Sequence, residues 1–211
     1  MIKKYLILLI ICLANAWIWK VFGGSPLLGI TLIFISFLLA FNLKISSLIL
    51  LAILGTFLLK NSFDVNLLHV SSLEKDRLEH KYEYYAQGLG KIYRNRIGIY
   101  LHYNVFPYTS RFLRNIAYNT DPNLYFFANH PRERSVAAEF EKFSFILFPF
   151  FIIGLISIFV GSFGFLIFYF ILSLLISAFV SPGYNLGPIL IFPFIVTVLY
   201  LGVLKVFKKW I

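Results

Sequence analysis

The alternation of hydrophobic and polar positions divides the chain into three stretches. From Tyr5 to Leu59 uncharged runs follow one another, interrupted only at Lys20 and Lys44. From Lys60 to Lys142 polar, charged and aromatic residues mix with short apolar patches. From Phe143 to Phe207 the apolar runs resume, with Lys205 as their one charge. Runs that are apolar on every helical face are the signature of helices whose surroundings are themselves apolar. The breakers between them predict helices at about 5–22, 27–41 and 45–59, then at about 143–160, 165–180 and 189–207.

Gly23-Gly-Ser-Pro26 ends the first helix and suits Pro26 to the first turn of the second. Asn42-Leu-Lys44 separates the second from the third. The runs 27–41 and 45–59 are each about 15 residues, roughly 22 Å of helix against a hydrocarbon core of about 30 Å, so they read as short spans or a re-entrant hairpin. Gly161-Ser-Phe-Gly164 is a tight connection that predicts antiparallel neighbours. Ser181 to Pro188 forms the last turn. Pro149 and Pro193 fall inside predicted spans, where neighbouring helices must meet the freed carbonyls.

The resulting expectation is an all-α integral membrane protein. About six transmembrane or hairpin helices, three in 1–59 and three in 143–211, flank a mostly helical, interface-lying segment at 60–142. Lys3 and Lys4 ahead of an apolar run also resemble a signal sequence, with Ala14-Asn-Ala16 as a small-residue cleavage site. The continuing apolar run through Phe22 favours an uncleaved helix.

Within the middle, Ser71-Ser-Leu-Glu74 is a capping box, a hydroxyl and a carboxylate three residues apart that satisfy each other's backbone N–H groups. It predicts a helix to Gln87, stopped by Gly88, with Leu78, Tyr82, Tyr85 and Leu89 on one face and Lys75 and Glu79 paired on another. Lys91 to Arg96 reads as helix. Residues 97–106 fit both a helical face and a strand alternation. Thr109 predicts a helix cap, with Phe112, Leu113 and Ile116 forming the apolar side. Asp121-Pro122 and His130-Pro131 are further helix starts, the second feeding through Val136 and Phe140 into the next span without a break.

Composition sharpens this picture. Hydrophobic residues make up 60% of the 211, charged residues only 13%, and mean hydropathy is +0.83; soluble domains carry about 25% charge. All nine Asp and Glu and nine of thirteen Tyr lie in the middle segment, and tyrosine is a residue of the membrane interface, apolar in body and polar at its tip. The net charge of +10 sits at the ends of apolar runs, which points to anionic lipid headgroups rather than nucleic acid. Lys3, Lys4, Lys44, Lys205, Lys208 and Lys209 fall on one side of a six-span path and Lys20 on the other. The positive-inside rule then places both termini in the cytoplasm and 60–142 outside, in a plasma membrane. Lys60, Lys75, Arg132, Arg134 and Lys142 vote the other way from a segment too long to dominate.

Candidate chemistry concentrates at Asp121, Asn129, His130, Arg132, Glu133 and Arg134. Two guanidinium forks beside helix N-termini can hold a phosphate, with Asp121 or Glu133 as base and His130 as acid. Arg94 and Arg96 form a second anion or headgroup site among tyrosines. No recognised catalytic spacing accompanies these residues. Gly88-Leu-Gly-Lys91 lacks the first glycine and the hydroxyl of a phosphate loop, the histidines have no metal-ligand spacing, and no cofactor is implied. The lone Cys12 excludes an internal disulfide. The uncharged spans argue against ion-coupled transport.

The function expected is therefore a non-enzymatic accessory or assembly protein of the cell envelope, its basic aromatic middle contacting lipid headgroups or a membrane-protein partner. A membrane enzyme acting on a lipid-linked phosphate or pyrophosphate is the alternative, and a transporter or channel component the third.

Overall fold

The computed structural model describes residues 2–61, 72–127, 141–161, 163–180 and 188–208. These are helical, with no strand among the described residues. The N-terminal region holds α1 (Ile2–Leu13), α2 (Ala16–Gly24), α3 (Pro26–Ala40) and α4 (Lys44–Asn61). The middle holds α5 (Ser72–Leu89), α6 (Lys91–Arg94), α7 (Arg96–Tyr100), a π-helix (Leu101–Val105), α8 (Phe106–Asn119) and α9 (Asn123–Phe126). After a 3-10 turn at Phe145–Leu147 come α10 (Phe148–Val160) and α11 (Gly164–Ala178); a 3-10 turn at Ile189–Ile191 then leads into α12 (Phe192–Val206).

The predicted first helix is two. α1 and α2 meet at 71°, and Asn15 makes the break tolerable. Its side-chain oxygen accepts from the Ile18 N–H at 2.9 Å, while its amide donates to the Ile11 and Cys12 carbonyls at 3.1 and 2.7 Å. One buried side chain thus closes the end of one helix and the start of the next, where no water reaches the orphan groups. Ala14-Asn-Ala16 is this junction. The next break, between α3 and α4, turns on Asn42 at φ 63°. The Leu43 N–H reaches back to the Leu38 carbonyl at 2.8 Å and the Asn42 N–H to Leu39 at 3.1 Å, the paired bonds that satisfy a helix C-terminus through a left-handed residue.

At the centre lies α12, buried on every side from Phe192 to Tyr200 and packed against α1, α3 and α10. The α10 contact brings backbones together. A Cβ on Gly154 would collide with the Val198 carbonyl, and one on Gly202 with the Phe150 carbonyl. Phe150 stacks on Phe207, with ring centroids 6.1 Å apart. These pairings run α10 antiparallel to α12, whereas an alternating six-span path would make them parallel. Nor are α10 and α11 close antiparallel neighbours: they diverge at 118°. α11 instead packs on α8 and α4, and it meets α12 near its start, where the Tyr169 hydroxyl donates to Leu190 and Phe170 stacks on Phe194.

Among the described residues, only α4 and Ile189–Val206 are individually long and apolar enough to cross a membrane. Counting each bent pair, α1 with α2 and Phe145–Val160 with α11, as one span raises the number to four among the described residues. Pro149 and Pro193 occupy the first turns of α10 and α12, where the N–H that proline lacks has no intrahelical partner to lose. Residues 141–144 are not helical, so the expected unbroken entry from the middle into the last region does not occur. The expected helix start at His130-Pro131 lies outside the described residues, as does the turn 181–187.

Candidate functional site

Between Leu58 and Leu124 no described residue belongs to the main buried core, although Ile116 packs partly against it. Residues 72–105 therefore form an arm with an interior of their own. α5 ends at Gly90, not Gly88: Gly90 has φ +58°, a conformation that favours glycine, and α6 turns back against α5. The stretch 97–106 is helical, which resolves its ambiguity. Asn95 starts α7 by accepting the Gly98 N–H at 2.6 Å, and a Cβ on Gly98 would strike the Tyr93 carbonyl.

His102, on the π-helix and 3% exposed, ties the arm together. Its Nε2 lies 2.7 Å from the Leu78 carbonyl oxygen. A carbonyl only accepts, so Nε2 carries the proton and, in the neutral ring, Nδ1 is the acceptor. Nδ1 receives the Tyr93 hydroxyl. One imidazole thereby links α5, α6 and the π-helix, an insertion often found where a helix serves a special role. The rings of Tyr82, Tyr93 and Tyr103 surround it at 5.4, 5.6 and 5.0 Å between centroids. Burial and the neighbouring Tyr85, Tyr82 and Tyr103 raise the Tyr93 hydroxyl pKa, and burial with Glu79, Tyr82 and Glu83 raises that of Tyr103.

The outer surface of the arm is apolar and basic together. Leu89, Ile92, Ile97 and Tyr100 are exposed, Ile92 at 80% and Ile97 at 69%; Lys91, Arg94 and Arg96 are exposed between them. α8 carries the arm to the body. It begins at Phe106 with Pro107 in its first turn, and Thr109, expected as the cap, bonds back to the Val105 carbonyl at 3.1 Å. Thr109, Ser110, Arg114 and Thr120 are exposed on the outer side of α8, and its inner side mixes polar and apolar contacts. Asn115 turns inward and donates to the Ala178 carbonyl at 2.9 Å, and Phe112 packs edge-on to Phe179 at 5.3 Å, while Leu113, assigned to the same apolar side, is exposed. Buried beside this seam, the side-chain atoms of Asn119 find no partner among the described residues.

Of the residues singled out from sequence, Arg94 and Arg96 flank Asn95 on the arm. Asp121 stands beyond the far end of α8, a helix about 20 Å long by its residue count, where its carboxylate accepts the Asn123 N–H at 2.9 Å and so starts α9 as expected. His130, Arg132, Glu133 and Arg134 lie outside the described residues. The catalytic constellation is therefore not assembled among the described residues, and no group of three metal-ligating side chains occurs among them.

Lys142, expected to face headgroups, is buried. Its ammonium donates to the Leu124 carbonyl at 2.8 Å and lies 5.8 Å from the centre of the Trp17 ring, where cation and π-face attract. Phe143, whose N–H bonds to the Tyr125 carbonyl at 2.9 Å, adds an edge-on contact to Trp17. The roles of His102 and Lys142 were not legible locally. For His102 the flanking Tyr100 and Tyr103 were the one hint; Lys142, beside Glu141, gave none.

No family model, curated protein or solved structure matches this chain.

Proposed function

We propose that the protein is an integral membrane protein of the cell envelope, an accessory or assembly factor rather than an enzyme. In this reading it holds the arm 72–105 at the bilayer surface, where the basic and aromatic residues engage lipid headgroups. The observation that carries the membrane reading is the apolar outer surface around α12. Ile30 and Phe34 on α3, Ile49, Ile53 and Phe57 on α4, and Phe168, Ile171 and Leu175 on α11 are exposed at helical spacing, an arrangement that water penalises and lipid accepts. Both termini face the cytoplasm and 60–142 lies outside. The antiparallel course of α10 and α12 means that the apolar segments are not a simple alternating series of six crossings.

The test is made on membranes and on purified protein in lipid vesicles. The protein stays in the membrane fraction through an alkaline carbonate wash, and wild type releases no phosphate from lipid-linked phosphate or pyrophosphate. Release into the wash sinks the membrane reading. Phosphate turnover that is abolished in a folded Arg132→Ala, Arg134→Ala double variant replaces the accessory reading with the enzyme.

A further inference from the structure

We propose that the tip of the arm, Leu89 to Tyr100, is an interfacial wedge that inserts Leu89, Ile92, Ile97 and Tyr100 below the headgroups and binds the phosphates of anionic lipids through Lys91, Arg94 and Arg96. This rests on the membrane reading above and names the partner of the arm. Three observations meet here. First, the inward positions of the tip are already used: Ala86, Gly98 and His102 are buried, and Tyr93 is bonded to His102. The apolar residues left over therefore have no cover among the described residues. Second, apolar and cationic residues alternate along the tip, so any surface that receives the first must also carry negative charge. An anionic bilayer offers both at a boundary a few ångströms thick, and helices of this composition lie in it. Third, exposed apolar residues recur on α8 at Phe106 and Leu113, between the tip and a body whose own outer faces are apolar. Wedge and body thus share one solvent. The acidic residues of the arm, Glu74, Asp76, Glu79 and Glu83, all precede the tip on α5, and Asp76, Glu79 and Glu83 are exposed.

The experiment uses the full chain in a Cys12→Ser background, reconstituted into vesicles of phosphatidylcholine alone or with phosphatidylglycerol. Spin labels are placed singly at Ile92→Cys, Ile97→Cys, Lys75→Cys and Ile53→Cys, and collisions with oxygen and with a water-soluble nickel chelate report depth. In anionic vesicles labels 92 and 97 prefer oxygen, and label 75 prefers nickel. Phosphatidylcholine alone, or half-molar salt, shifts 92 and 97 toward nickel. Each cation near an anionic surface is worth about fivefold in the docking equilibrium, so Arg94→Gln with Arg96→Gln lowers it about 30-fold. Wild-type labels 92 and 97 remaining in water in both lipids overturn the wedge, as does a depth that ignores lipid charge and salt. Label 53 separates the two failures. In lipid while 92 stays in water, it leaves the membrane reading standing without the wedge; in water, it removes both.

Discussion

Asn15 shows how much one side chain carries in an apolar fold. The 71° break between α1 and α2 frees carbonyls at Ile11 and Cys12 and an N–H at Ile18, and no solvent can take them up. The side chain, 2% exposed, answers all three. Asn15→Ala removes a cap and leaves these groups unmet, a combined cost of about 2–3 kcal/mol. Asn15→Asp keeps the acceptor toward Ile18 but loses both amide donations, so it does not rescue. Thermal unfolding in detergent, followed through the fluorescence of the adjacent Trp17, is expected to give a lower midpoint for both variants. An unchanged midpoint for Asn15→Ala would mean that the two helices hold their angle by packing alone.

At the scale of elements, the helices bounded by strong breakers were legible in the sequence. Pro26–Ala40, Lys44–Asn61, Gly164–Ala178 and Phe192–Val206 lie within a few residues of the breaks that glycine, proline and asparagine announce, because those breaks are local backbone chemistry. The arm was legible as short helices but not as a closed unit. Its clasp joins Tyr93 and Leu78 through a histidine 9 and 24 residues away, at a distance no periodicity records, and the π-helix that presents His102 has no sequence signal of its own. The same holds for α8: Phe112 and Ile116 of its apolar side pack inward and Leu113 does not, while its buried Asn115 finds a carbonyl 63 residues away. The candidate site was legible only in part: Arg94 and Arg96 as surface cations and Asp121 as a helix start.

The clasp makes a prediction of its own. The hydroxyl pKa values of Tyr93 and Tyr103 are raised in the folded arm, so folding favours the neutral phenols. Their contribution is present in full below the ordinary tyrosine value near 10 and is lost as pH rises through the higher folded values. The arm is therefore protected from protease at neutral pH and opens above about pH 10. Tyr93→Phe, which deletes the hydroxyl donated to His102, loosens the arm already at pH 7 and flattens the alkaline response. Limited proteolysis between 72 and 105 across this range measures both effects, and equal alkaline sensitivity in wild type and Tyr93→Phe would remove the phenol from the clasp.

At the scale of the whole molecule the proposed membrane topology puts the arm outside, and the burial of Lys142 bears on that proposal. The positive-inside rule counts cations that meet headgroups and water. By sequence Lys142 belongs to the group that opposes an outside arm, together with Lys60, Lys75, Arg132 and Arg134. In the fold its ammonium is committed to the Leu124 carbonyl and the Trp17 face, so it is withdrawn from that tally. Lys3, Lys4, Lys44 and Lys205 are exposed and keep their votes for cytoplasmic termini. In a Cys12→Ser background, Lys75→Cys is therefore expected to react with an impermeant thiol reagent on intact cells, and Lys208→Cys only after permeabilisation. The reverse pattern would put the arm in the cytoplasm. Adding Lys142→Gln separates burial from topology: it lowers the unfolding temperature, since the carbonyl and the ring lose their cation, yet leaves both labelling patterns as they were. A change of labelling on that substitution would mean that Lys142 meets headgroups while the chain inserts, before the aromatic cluster closes over it.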